Sequence, residues 1–112
     1  MAKLVKTADL AWEPTNVEGI AGKSLIQFAE GTAKLIRLEP GARYPNHQHP
    51  KRTEYAYVLS GNAILTVGDE ELEATVGDFL MFPTDTPHAL ANRSDGDAVL
   101  FVGAVYHSDT DH

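Results

Sequence analysis

An all-β barrel or sandwich with almost no helix is the fold class this sequence predicts, and three observations predict it. About eight short runs rich in Val, Leu, Ile, Tyr, Phe and Thr are punctuated by Gly, Pro, Asn and Asp, the pattern of strands joined by tight turns. No stretch sustains a 3.6-residue apolar period between helix caps. The chain has 112 residues, 43% of them apolar, which suits one buried core and could not divide into two.

The elements follow in chain order. Residues 1–23 carry few periodic signals and are read as an N-terminal arm, with Trp12 and Pro14 draped over the barrel or set against a partner subunit. Ser24–Ala29 and Thr32–Glu39 are strand candidates around a Glu30-Gly31 turn, and Pro40-Gly41 ends the second. An extended segment through His47 and His49 leads into Thr53–Leu59, rich in Tyr and Val. Asn62–Val67 and Glu71–Val76 form a hairpin around Gly68-Asp69-Glu70. Gly77-Asp78 turns into Phe79–Phe82, and Ser94-Asp95-Gly96 joins His88–Arg93 to Asp97–Tyr106. The barrel is thus expected over residues 24–107, with 108–112 a polar, frayed tail.

Composition excludes several functions. The formal charge is −7, from 9 basic and 16 acidic residues, which opposes nucleic acid and anionic membrane surfaces as partners. Cysteine is absent, so disulfides, thiolate ligands and a Cys nucleophile are ruled out. No secretory leader is visible in MAKLVKTADLAWEP, and the apolar run from Ala98 to Tyr106 is far shorter than the ~20 residues of a spanning helix. A cytoplasmic location is the expectation. No Gly-x-Ser-x-Gly elbow or phosphate-cradling glycine loop appears.

The chemistry concentrates between Gly41 and Gly61, GARYPNHQHPKRTEYAYVLSG. Residues i and i+2 of a strand share a face, so His47 and His49 can aim at one point, and Glu54 can approach from the next strand after the Pro50-Lys51-Arg52 loop. His88 is a fourth candidate far downstream. Three imidazoles and a carboxylate suit one divalent transition metal, whether Fe, Mn, Ni, Co or Zn. In a six-coordinate site they leave two positions open, which distinguishes a catalytic centre from a closed structural one.

The spacing of these residues resembles that of the cupins. The first cupin motif is a glycine, five residues, His-x-His, three or four residues, Glu, six residues and a glycine, matched by Gly41, His47, His49, Glu54 and Gly61. The second is a glycine, five residues, Pro-x-Gly, two residues, His, three residues and Asn, matched by Gly77, Pro83, His88 and Asn92, with Asp85 in place of the inner glycine. The resemblance implies a double-stranded β-helix, or jelly-roll barrel, with the metal between its two sheets. It also implies a homodimer in which N-terminal strands add to the partner's sheet.

The function expected is that of a small metalloenzyme, a dioxygenase or a non-redox isomerase or lyase, acting on a small polar organic molecule. A ligand-binding or sensory module is the alternative, and the stretch around Trp12, Tyr44-Pro45 and His47–Gly61 also resembles the cupin half of certain anti-sigma factors. A seed-storage-like structural role is disfavoured because such proteins tend to lose their metal ligands. Lys51 and Arg52 are read as a solvated loop in preference to an anion-steering pair. Asn92 is read as a structural group or one supporting a metal ligand. Tyr44, Tyr55, Tyr57, Phe79, Met81 and Phe82 divide between core and pocket, His107 and His112 are solvated, and Asp69, Glu70, Glu71 and Glu73 form a solvated hairpin tip.

Overall fold

The structure, a computed structural model, describes residues 2–47, 51–82 and 86–107, with Asn46 and His47 described by their backbone alone. Two antiparallel sheets face each other, as expected of a jelly roll. The first has the order β1 (Glu13–Pro14), β2 (Ile20–Gln27), β3 (Gly31–Leu38), β10 (Ala98–Tyr106), β5 (Arg52–Ser60) and β8 (Phe79–Phe82). The second has the order β4 (Arg43–His47), β9 (His88–Ala91), β6 (Ala63–Val67) and β7 (Glu70–Ala74). A 3₁₀ turn at Thr7–Asp9 is the one helical element among the described residues.

Strand alternation builds the core. Ile36 and Leu38 on β3, Ala56 and Val58 on β5, Leu100 and Val102 on β10, and Ala63 and Leu65 on β6 meet in one apolar cluster between the sheets. Leu38, Val58, Leu65 and Leu100 are sealed from solvent, each contributing about 1.5–3 kcal/mol by transfer from water. The motif glycines Gly41, Gly61 and Gly77 all take left-handed backbone angles, with φ of 84°, 75° and 92°. Gly61 is doubly constrained, since a Cβ there would also lie 2.8 Å from the Ala98 Cα. These glycines set the turns that send the chain from one sheet to the other.

The first sheet begins earlier than the strand read from Ser24. β2 starts at Ile20 and pairs with Glu13–Pro14. The reason lies on the outer face, where Trp12 sits 4.7 Å from the Lys23 ammonium and 4.9 Å from the Arg37 guanidinium. Lys23 is 9% exposed and donates to the Thr7 carbonyl at 2.8 Å. Both faces of β2 are therefore covered here, and a lysine on the outer one hides the alternation that marks a half-buried strand.

Further along this outer face, the Tyr55 ring packs against Gly103, its register partner, where any Cβ would collide with the ring. Tyr55 also approaches Phe79 on β8, with ring centroids 5.7 Å apart.

At the closed end, Asn92 is a structural group. Its buried amide donates to the carbonyls of Leu38 at 2.9 Å and Gly96 at 2.8 Å. Its carbonyl oxygen accepts from the Ser94 N–H at 3.0 Å and the Ser94 hydroxyl at 2.6 Å. The side chain thus ties β3 to the 92–96 turn with its hydrogen-bonding capacity fully used.

The acidic hairpin is not simply solvated. Glu71 takes a two-pronged grip from Arg93, at 2.9 and 2.7 Å. That hydrogen bond holds the Glu71 carboxyl below its ordinary value of 4.5. The unfolded chain therefore takes up this proton first, and the stabilisation, full above the ordinary value, is lost as pH falls through the lower folded one. Both groups are exposed, so the effect is small. Glu71→Gln should melt slightly below the wild type at neutral pH and level with it in acid, below the lowered folded value. Parallel melts at the two pH values check this, and a deficit that persists in acid would contradict it.

Candidate functional site

The site forms where β5 and β9 face each other across the sandwich. On β5, Arg52, Glu54 and Ala56 occupy alternate positions and line a cavity between the sheets. His88 opens β9 in the opposite sheet, and its imidazole Nε2 lies 3.0 Å from Glu54 Oε1. The two side chains are only 6% and 13% exposed. Phe82, the register partner of Glu54, stacks on the imidazole with centroids 4.4 Å apart and planes 19° from parallel.

The other imidazole nitrogen fixes the chemistry of this one. His88 Nδ1 is 3.1 Å from the Thr86 carbonyl, which can only accept, so Nδ1 carries a proton there. With Nδ1 donating to Thr86, Nε2 is the nitrogen that faces Glu54 at hydrogen-bond distance, and it is the one placed to ligate a metal, as when a carbonyl holds the far nitrogen of a ligating histidine.

The four ligand candidates are placed as follows. Glu54 and His88 are brought together. His47 ends β4, and its backbone is the register partner of His88. His49 lies outside the described residues, as do Pro83 and Asp85 of the second motif and the 108–112 tail with His112. Among the described residues, no three His, Asp or Glu side chains cluster closely enough to hold an ion. The donor pair that is described, a carboxylate and a fixed imidazole nitrogen from opposed sheets, fits a divalent metal.

The cavity measures about 80 Å³ and is walled by Ile36, Phe82, Leu90 and Val102 among others, with Tyr44 on one side. Tyr57, Phe79 and Met81 are excluded from it, standing exposed on the outer face of the first sheet. Arg52 corrects the reading of a solvated loop. It belongs to β5, lines the cavity, and places Nη2 3.4 Å from Glu54 Oε2. Lys51, just before it, takes the left-handed conformation at φ 67°, which turns the chain into the strand. Lys34 at the cavity rim went unread in the sequence, although it shares the parity of Ile36 and Leu38 on β3. His107 is exposed, with Nε2 2.7 Å from the Thr53 hydroxyl.

Comparison with known proteins agrees with this architecture. Residues 34–103 match the Cupin domain family, which is more than half of the chain. The chain belongs to the cupin family. It is 35% identical over 83 residues to the oxalate decarboxylase OxdC of Bacillus subtilis, covering 69% of this chain and 21% of that protein. It spans about a fifth of the length of the oxalate decarboxylases it matches. Among solved structures, a Thermotoga maritima protein described as a predicted oxalate decarboxylase superposes with a TM-score of 0.86 at 17% identity, over 93% of this chain and 99% of that one. A cupin-superfamily sugar phosphate isomerase of Silicibacter pomeroyi gives 0.81 at 24% identity, over 97% and 83%. At these identities the structural likenesses establish the fold. No helix among the described residues is long and apolar enough to cross a membrane.

Proposed function

We propose that this protein is a small metalloenzyme, holding one divalent transition metal at His47, His49, Glu54 and His88 and acting on a small polar organic molecule. The observation that carries the reading is the 3.0 Å approach of Glu54 and the fixed His88 nitrogen from opposite sheets, at the wall of a cavity. The oxalate decarboxylases among the relatives favour the lyase form of this reading. The metal would supply Lewis-acid or redox chemistry. The chain's own contribution is to orient the imidazole through Thr86 and Phe82, to exclude bulk water with the apolar wall, and to set Arg52 beside the carboxylate.

Elemental analysis of protein purified without added metal should find about one equivalent per chain. Screens for dioxygen consumption and for isomerised or cleaved products should then find turnover lost on chelation. Native protein that takes up no metal on titration would sink the reading. Metal and ligand binding without turnover would leave a binding or sensory module instead.

We also propose a homodimer, formed through the outer face of β5 and β8. Tyr57, Phe79 and Met81 stand 41%, 59% and 64% exposed side by side there. Sedimentation at micromolar concentration should give twice the chain mass, and Met81→Lys should halve it while leaving the circular dichroism unchanged. A wild-type monomer, or a Met81→Lys dimer of undiminished stability, would contradict this.

A further inference from the structure

Charge in the cavity runs opposite to charge in the chain. The protein carries a formal −7, yet the described charged side chains lining this cavity are Lys34, Arg52 and Glu54, two cations against one carboxylate. Any bound divalent ion would add to that positive excess. A cavity of this sign in an acidic protein concentrates anions.

Arg52 is little used by its surroundings. Its guanidinium has five N–H donors. The contact to Glu54 is 3.4 Å, well beyond the ~2.7–2.9 Å of a charge-assisted hydrogen bond. Its Nε is sealed from solvent with no hydrogen-bond partner among the described residues. The side chain is 27% exposed, and it lies 5.9 Å from the Tyr106 ring, which steadies the guanidinium plane. Lys34 has no carboxylate within ion-pair distance among the described residues. A guanidinium set in a cavity wall with most of its donors uncommitted is suited to an anionic group on a ligand.

Size and lining narrow the ligand further. A volume of about 80 Å³ is roughly half that of the ~150 Å³ cavity that holds benzene, so the ligand part enclosed here is small. Ile36, Leu90 and Val102 form an apolar wall that suits a short carbon skeleton and gives nothing to inorganic phosphate.

We propose that the ligand of this cavity is a short organic acid whose carboxylate is held by Arg52, with Lys34 assisting at the rim. The assignment deepens the metal-centre reading above and rests on that reading for the rest of the ligand's contacts. Arg52 acts as a binding and orienting residue, and its loose contact with Glu54 allows the guanidinium to engage the carboxylate without breaking a tight ion pair.

The test is calorimetric titration of metal-loaded protein with two- to six-carbon acids, including pyruvate and lactate, alongside pyruvamide, lactamide and inorganic phosphate. At least one acid should bind ten-fold or more tighter than its own amide. Arg52→Gln should weaken that acid ten-fold or more with the amide unchanged, Arg52→Lys should recover part of the loss, and Lys34→Gln should cost less. Metal content, measured on each variant, should stay at the wild-type level. The same titration on chelator-treated protein separates the two readings. Acid binding that remains there and depends on Arg52 supports this inference even if the metal reading fails. Equal affinity for acids and amides, no binding across the acids, indifference to Arg52→Gln, or a preference for phosphate would each overturn it.

Discussion

His88→Gln should reduce metal content from about one equivalent per chain to near none, while the variant still folds. The imidazole is held on both sides, by the Thr86 carbonyl at 3.1 Å and by the Phe82 ring at 4.4 Å. A glutamine fills much of the same volume but cannot offer the fixed nitrogen that faces Glu54. Stability should follow the metal. Saturating an ion at a hundred times its dissociation constant stabilises the folded state by about 2.7 kcal/mol, so a chelator should lower the wild-type melting temperature measurably at neutral pH. The variant should show no such response. Ligating imidazoles must be neutral, so the wild-type gap should narrow in acid as protons displace the metal. Elemental analysis and paired melts with and without chelator check this. Full metal content in the variant would remove His88 from the site.

Asn92→Ala should be among the most destabilising single substitutions in the chain, at about 3–5 kcal/mol, or a fall in melting temperature on the order of 10 °C or more. The substitution removes a donor from the Leu38 carbonyl in the interior, unties the 92–96 turn by losing the bonds to Gly96 and Ser94, and leaves a cavity where the amide packed. Asn92→Asp should also be costly, since it replaces two donors with acceptors facing carbonyl oxygens. Denaturant titration measures both, with metal content as the control, because the residue supports the fold at the end away from Glu54. A loss below about 1 kcal/mol for Asn92→Ala would mean that the turn finds other partners.

Much of this architecture was legible from punctuation. Gly61, Gly68 and Gly77 take positive φ where the turns were expected, and the strands from Thr53 onward fall close to the expected runs. The strand register that brings Glu54 and His88 together was legible only through motif spacing, because the two residues lie in different sheets and no local pattern relates them. The start of β2 was hidden by Trp12, which covers an outer face that carries Lys23 and Arg37 instead of apolar residues. Arg52 was misread because its charge and its place after Pro50-Lys51 suggested a loop, while the parity it shares with Glu54 and Ala56 pointed inward. Lys34 was missed in the same way. Charged residues at interior parity are the signal that composition-based reading discards.

The Tyr55 ring on Gly103 ties together the histories of two positions 48 residues apart in sequence. Neither changes freely alone. A methyl group at 103 collides with the ring, and a shorter side chain at 55 bares a stripe of β10 backbone on an outer face that already exposes Phe79 and Met81. In a lineage descending from this sequence, the two positions should change in compensating pairs, an enlargement at one recorded beside a reduction at the other. The contact would then be readable from aligned descendants with no structure in hand.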